Sequence, residues 1–255
     1  MGALNRMRRP RRDQAPAEHK PTLRVVQAAD EAEPSLVERY ERMAHTFERR
    51  PVDTVLRALD LVLAGAALAM LGPLLILVAG AIRITSGPPA LYRGARVGRG
   101  GRIFVMRKFR TLRPDAESRL GPFLGQELTR LTGEEVTRLG RVLRATHVDE
   151  MPQLLNVLAG DMSLVGPRPI RPTFFGELAE EIPAYWQRLV VRPGVTGLAQ
   201  LRVTREMTWS EKLHHDFEYI ADRSVRLYLA VAAATAAHIL GRASSTVLRR
   251  TLEGH

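Results

Sequence analysis

The sequence predicts an α/β protein, mainly α with a small β-hairpin, in which a membrane-embedded helical segment carries a compact domain at the bilayer surface. Three observations point there. Leu61 to Ile82 is a run of 22 residues without a charge. Two strand-like runs, Pro89 to Val97 and Arg102 to Phe109, are joined by Gly98-Arg99-Gly100-Gly101, the pattern of a hairpin. Further on, apolar residues recur at helical spacing beside arginines, as in helices that lie in a membrane interface.

The chain has 255 residues, room for one ordinary domain or two small ones. A net charge of +11 and a pI near 10.9 imply an anionic partner: nucleic acid, an acidic membrane surface or a phosphorylated substrate. Aromatic residues make up 5% and are not interleaved with the basic clusters, which speaks against a platform for single-stranded nucleic acid. The absence of cysteine excludes disulfides, thiolate metal sites and a cysteine nucleophile. Apart from His214-His215 the histidines are scattered, so a histidine metal cage is not expected.

Four segments are expected. Residues 1–50 form a basic, largely disordered arm, with a short polar helix over 35–50 and affinity for anionic lipid. Residues 51–87 are the membrane segment, 88–240 the main domain and 241–255 a tail.

Fully helical, Leu61 to Ile82 would reach roughly 33 Å, long enough to cross a hydrocarbon core. A single spanning helix is therefore one reading. Gly72-Pro73 near its middle favours another, because an interior proline removes a backbone bond and kinks or breaks a helix. Each half would then reach about 15–18 Å. Both flanks are positive, Arg49, Arg50 and Arg57 before and Arg83, Arg93 and Arg96 after, and positive residues favour the cytoplasmic side. A re-entrant hairpin satisfies both flanks at once.

Residues 83–114 hold nine Lys or Arg and no acid. Lys108 and Arg110 can be read either as a surface facing lipid headgroups or as phosphate ligands. Thr132-Gly133-Glu134-Glu135 reads as a capping box that opens an amphipathic helix ending near Ala145. Leu178, Ile182, Trp186 and Leu189 repeat at helical spacing, as do Trp209, Leu213, Phe217 and Ile220; both sets are expected in core or interfacial faces. Val225 to Leu240 is apolar but too short to span, and is expected to pack beneath the domain.

The stretch from Thr146 to Pro169 carries the chemistry. Asp149-Glu150 opens an apolar run that reads as a short helix, and Pro167-Arg168-Pro169 follows it. An acid pair at a helix start is also an ordinary N-terminal preference. An arginine fixed between two prolines, however, loses little entropy on gripping a phosphate. Together they point to a phosphorylated substrate.

That stretch resembles the signature of the bacterial sugar transferases, monotopic polyprenol-phosphate phosphoglycosyl transferases. The likeness extends from Arg57-x-x-Asp60 through Arg107-Lys108-Phe109-Arg110-Thr111-Leu112 and Arg192-Pro193-Gly194-Val195-Thr196-Gly197. It ends with Trp209-x-Glu211-Lys212-x-x-x-Asp216-x-x-Tyr219. The resemblance implies a re-entrant helix-break-helix, interfacial amphipathic helices and a catalytic domain on the cytoplasmic face of the inner membrane. With no multi-span region ahead of it, a small-type member is expected.

The implied reaction transfers a sugar-1-phosphate from a UDP-sugar to a polyprenyl phosphate such as undecaprenyl phosphate. UMP is released, in an early membrane step of glycan or exopolysaccharide assembly. Asp149 would be the nucleophile, with Mg²⁺ as cofactor held by Asp149 and Glu150. Glu150 would bind the metal or receive a proton. Arg168, Arg144, Lys108, Arg110 and Gln200 would contact substrate or phosphate. The expected partners are the UDP-sugar, the polyprenyl phosphate and anionic inner-membrane lipids, with no nucleic acid; self-association is left open.

Three departures stand out. Thr204 occupies the place of an arginine in an Asn-Gly-Arg motif, with Arg202 and Arg205 nearby. Tyr228-Leu229-Ala230 replaces an Asp-x-Lys pair. Glu134-Glu135 lies where Asp-Pro-Arg is common. They leave a rival reading, an impaired member that scaffolds a glycan-assembly complex.

Overall fold

A computed structural model describes residues 50–116, 133–202 and 207–253, the last stretch by backbone alone from 240 onward apart from Gly241. The arm expected over residues 1–50, save Arg50, lies outside the described residues, as do Thr132, Thr204 and Arg205.

Helix α1 spans Val52–Ser86. Asp53 sits in its first turn, where a carboxylate meets free N–H groups, and Gly87, with φ 73°, ends it. The helix does not separate into two halves at Gly72-Pro73 but runs on through Pro73. A proline deletes only the bond to the carbonyl four residues earlier, and in a helix of 35 residues the turns on either side keep theirs.

Both ends of α1 are tied to the same folded body. Near its start, Arg223 Nε donates to Asp53 Oδ1 at 2.6 Å. Arg57 donates to the carbonyls of Val157 (2.7 Å) and Leu158 (3.1 Å), at the end of helix α3 (Leu154–Ala159). Asp60, 2% exposed, accepts at Oδ1 from Ser163 Oγ, the Leu164 N–H and Tyr228 OH, at 2.8, 2.8 and 2.7 Å. The Arg57-x-x-Asp60 motif thus clamps α1 to the domain, and Tyr228 completes the clamp. At the far end, Leu75, Val78, Ala79 and Ile82 pack with Phe109 and Leu143. Between the two contacts Met70, Ile76 and Leu77 are at least 71% exposed, an apolar surface that no described protein residue covers.

The hairpin forms as expected, β1 (Leu91–Val97) antiparallel to β2 (Ile103–Phe109). Its register pairs Tyr92 with Lys108 and Arg96 with Phe104, so Tyr92, Arg96 and Lys108 share one face. Gly94 lets the Tyr92 ring lie along the strand, since a β-carbon there would strike the Tyr92 hydroxyl.

The helix expected from Thr132 is interrupted. Residues 133–135 are helical, Val136 then bridges to Leu112, and helix α2 (Arg138–Ala145) starts afresh. Thr137 is the cap, its Oγ1 accepting from the Gly140 N–H at 2.9 Å. Gly140 presses against the Thr111 carbonyl, where a side chain would collide. The strand-like bridge outcompetes local helix propensity because it anchors α2 to the chain leaving β2.

Beyond α3, β3 (Ser163–Val165) pairs in parallel with β4 (Gly194–Thr196). Leu178, Ile182, Trp186 and Leu189 do share one core, but over two helices. Helix α4 (Pro172–Glu181) stops at Ile182, and Pro183 opens a separate 3₁₀ stretch, Pro183–Val190. Phe175 meets Trp186 edge-on there, with centroids 4.9 Å apart.

Helix α5 is Leu198–Arg202. Helix α6, Trp209–Asp222, carries the second apolar series and starts with a reciprocal Thr208–Glu211 capping box that the sequence reading missed. Helix α7 runs from Val225 to Glu253, so residues 241–253 continue it rather than forming a separate tail.

Candidate active site

The chain between α2 and α3 turns at His147, whose φ of 56° lies in the left-handed region, and enters a 3₁₀ helix, Val148–Gln153. Asp149 and Glu150 occupy its first turn. Asn156, fully buried, fixes this segment against the hairpin. Its Oδ1 accepts from the Arg107 N–H at 3.0 Å and its Nδ2 donates to the Val105 carbonyl at 2.8 Å.

Asp149 is 7% exposed. Among the described residues its carboxylate receives no hydrogen bond. Burial pushes its pKa up, the Glu150 charge adds to this, and Lys108, Arg144 and His147 oppose it. Lys108 is itself pushed down by burial, with Asp149 and Glu150 acting the other way. Arg144 anchors its Nε on Thr111 Oγ1 at 2.9 Å. On the other flank Arg168 Nη2 lies 3.7 Å from Glu150 Oε1, its side chain still 58% exposed.

Two cavities flank the carboxylates and divide the expected site residues. A cavity of about 840 Å³ is lined by Glu150, Arg168 and Gln200, between α1 and α7. A cavity of about 1150 Å³ on the hairpin side is lined by Lys108, Arg110 and Arg144. Asp149 lines neither; its charge is felt by Lys108 and Arg144 of the hairpin-side cavity and by Glu150 of the other.

Two expected phosphate contacts are placed differently. Arg110 is directed at the end of α1, donating to the carbonyls of Ser86, Gly87 and Pro88 at 2.6, 2.5 and 2.9 Å. Gln200 Nε2 donates to the Val195 carbonyl at 3.2 Å, leaving a buried, unpartnered Oε1. Its Nε2 keeps a second N–H, so Gln200 still offers the cavity a donor beside this free acceptor. Arg202, a candidate substitute for the missing arginine, is paired with Glu218 at 2.6 Å.

The sequence reading missed Arg96 and Arg188. Arg96, 8% exposed, lies among the cations on the same hairpin face as Lys108; the alternation of the strand was the signal for it. Arg188 pairs with buried Asp216 at 2.7 Å and donates to the Arg168 carbonyl at 2.9 Å, fixing the Pro-Arg-Pro turn from behind. Nothing in the local sequence marks Arg188.

A family model described as bacterial sugar transferase matches residues 52–242, which contain both cavities and every residue just named. The chain belongs to the bacterial sugar transferase family. Over 177 residues it is 42% identical to the UDP-glucose:undecaprenyl-phosphate glucose-1-phosphate transferase of Caulobacter vibrioides, covering 68% of this chain and 64% of that one. It is 36% identical over 176 residues to the UDP-N-acetylgalactosamine-undecaprenyl-phosphate N-acetylgalactosaminephosphotransferase of Aeromonas hydrophila, covering 68% and 40%. It is 42% identical over 161 residues to the exopolysaccharide production protein PSS of Rhizobium leguminosarum bv. phaseoli, covering 62% and 78%. The match thus spans less than two thirds of the first two relatives.

In this family member the geometry separates Lys108 from Arg110. Lys108→Ala is expected to lower kcat by about 10²-fold with little change in Tm, as loss of a cation from a site of developing charge does. Arg110→Ala is expected to destabilise by about 2–3 kcal/mol through its lost bonds to carbonyls. Steady-state kinetics with thermal unfolding of both variants checks the split.

Proposed function

We propose that the protein transfers a sugar-1-phosphate from a UDP-sugar to a membrane polyprenyl phosphate through a covalent intermediate on Asp149. The observation that carries this reading is the Asp149 carboxylate, buried, free of hydrogen bonds from the described residues, and faced by Lys108 and Arg144. An Asp149 oxygen forms a bond to the β-phosphorus as the bond from that phosphorus to the UMP oxygen breaks. An oxygen of the polyprenyl phosphate then attacks the same phosphorus, and the Asp149 carboxylate leaves.

Lys108 and Arg144 hold phosphate oxygens on the hairpin side, and Arg168 does so on the other. The donor set fits Mg²⁺, which takes one or two carboxylates and completes its shell with water and substrate phosphates. Asp149 and Glu150 would hold it; when bound it neutralises phosphate charge, which the nucleophile's approach requires. Among the described residues there is no cluster of three or more metal-ligating side chains, so water and substrate phosphates would have to complete the shell.

The test is a panel of UDP-sugars supplied with Mg²⁺ and undecaprenyl phosphate. UMP release with at least one sugar is expected; none with any common UDP-sugar would favour the scaffold reading.

The domain is proposed to lie on the cytoplasmic face of the inner membrane, with α1 entering and leaving on that side. The support is that both ends of α1 grip one body, through Asp60 at one end and Ser86 at the other. Cysteines placed near Arg50 and near Gly87 are expected to be equally protected from an impermeant thiol reagent in intact cells. Labelling of only one would mean a spanning helix. Pro73→Leu, which permits the missing backbone bond, is expected to shift some molecules to that labelled state.

A further inference from the structure

We propose that the isoprenoid acceptor reaches the carboxylates through the 840 Å³ cavity between α1 and α7 rather than through the basic cavity. This inference rests on the transfer reading above and assigns its two substrates to different entrances.

The cavity is lined mostly by apolar side chains, among them Leu63 and Ala67 of α1 and Ala232, Ala236 and Ile239 of α7, while Glu150, Arg168, Arg188, Lys212 and Asp216 supply charges. A ligand that fits is apolar over most of its body and anionic at one tip. The α1 wall is continuous with exposed lipophilic surface: Leu63 is 36% exposed and Val62, next to it, 66%. That surface belongs to the stretch of α1 that no described protein residue covers, so a chain already dissolved in the bilayer meets the entrance without crossing water. The wall is held in place, since Thr235 of α7 and Thr196 of β4 share a hydrogen bond of 2.7 Å. A volume of this size admits the phosphate and the first isoprene units, with the remainder of the chain left in lipid.

The hairpin-side cavity carries more cations. Arg83, Arg93, Lys108, Arg113, Arg144 and Arg171 line it beside apolar residues such as Leu91 and Phe109, with Asp115 as its acid among the lining residues. A nucleoside diphosphate is drawn to so many cations. The acceptor oxygen must attack opposite the Asp149–phosphorus bond, in the position UMP vacates, so UMP leaves through the basic side before the isoprenoid phosphate reaches that position from the apolar cavity.

The test uses the full chain in nanodiscs and an isoprenoid phosphate carrying a diazirine in its first isoprene units. Photolabels displaced by excess decaprenyl phosphate are expected on the peptides containing Leu63 to Ala67 and Ala232 to Ile239. Displaceable labels confined to residues 83–93 or 108–116 would overturn the proposal. Kinetics supply a second arm. Ala236→Trp narrows the cavity at an exposed position that tolerates the larger side chain. It is expected to raise the acceptor KM at least tenfold while the donor KM moves less than twofold. Ala233→Trp, on the exposed α7 surface outside the cavity, controls for a bulky residue on that helix. Equal changes in the two KM values, or none, would also overturn it. Should the wild-type protein release no UMP, the transfer reading fails, and the photolabels still report whether isoprenoid occupies this cavity.

Discussion

Asp149→Asn is expected to lower UMP release by on the order of 10³-fold or more, while the protein stays folded. The substitution keeps the shape of the side chain and removes the anion that attacks phosphorus. It is also expected to raise Tm at pH 7 in EDTA, because the native carboxylate is held in an environment that disfavours its charge. Burial, followed by Glu150, raises the Asp149 pKa above its ordinary 3.8. The folded state therefore binds more protons than the unfolded state from about that pH upward to the raised value. Across that window stability falls as pH rises, and the ionised form remains a burden at neutral pH. The Tm advantage of Asp149→Asn should accordingly shrink as pH falls towards 4. Turnover of the wild type should run the other way, rising with pH as the nucleophile ionises. Wild-type turnover in Asp149→Asn would remove Asp149 from the chemistry; a variant less stable than wild type at pH 7 would contradict the electrostatics.

Arg188→Met is expected to destabilise the fold by about 3–5 kcal/mol, the range for leaving one partner of a buried ion pair uncompensated. Arg188 and Asp216 are 5% and 8% exposed in their side chains, and Arg188 also donates to Tyr185 Oη at 2.9 Å. Burial penalises the Asp216 carboxylate, and the Arg188 guanidinium offsets that penalty. Replacing both, as Arg188→Met with Asp216→Leu, should recover much of the lost stability, since an apolar pair carries no desolvation penalty. It should not recover kcat, because the Arg168 carbonyl still lacks the donor that fixes the Pro-Arg-Pro turn. Chemical denaturation beside kcat for the single and double variants separates these effects. Full recovery of activity in the double variant would mean that Arg188 acts on stability alone.

The hairpin, the helical start at Asp149 and the apolar faces of α4 and α6 were legible because each is written in local spacing. The family resemblance picked out the carboxylates and Arg168. What remained hidden depends on distant partners. Arg110 and Lys108 are two residues apart in one basic motif. Only the fold shows that one meets the carbonyls ending α1 while the other faces Asp149. The break before α2 arises from a bridge between Val136 and Leu112, which local propensity cannot register. Tyr228 read as a departure from the family pattern, yet its hydroxyl completes the coordination of Asp60, 168 residues away in sequence. Helix α1 continues through Pro73, and Pro183 divides an apolar series that local spacing reads as continuous.

The covalent step is tested most directly by giving the purified protein UDP-sugar and Mg²⁺ without any acceptor, after exhaustive removal of co-purified lipid. The expected result is a burst of about one equivalent of UMP per protein and a mass increase equal to one sugar-phosphate. The added mass should map to the peptide containing Asp149, be absent in Asp149→Asn, and be released by hydroxylamine or by polyprenyl phosphate. UMP appearing only when acceptor is present, with no adduct at any time, would contradict the covalent route and leave direct transfer between the two substrates.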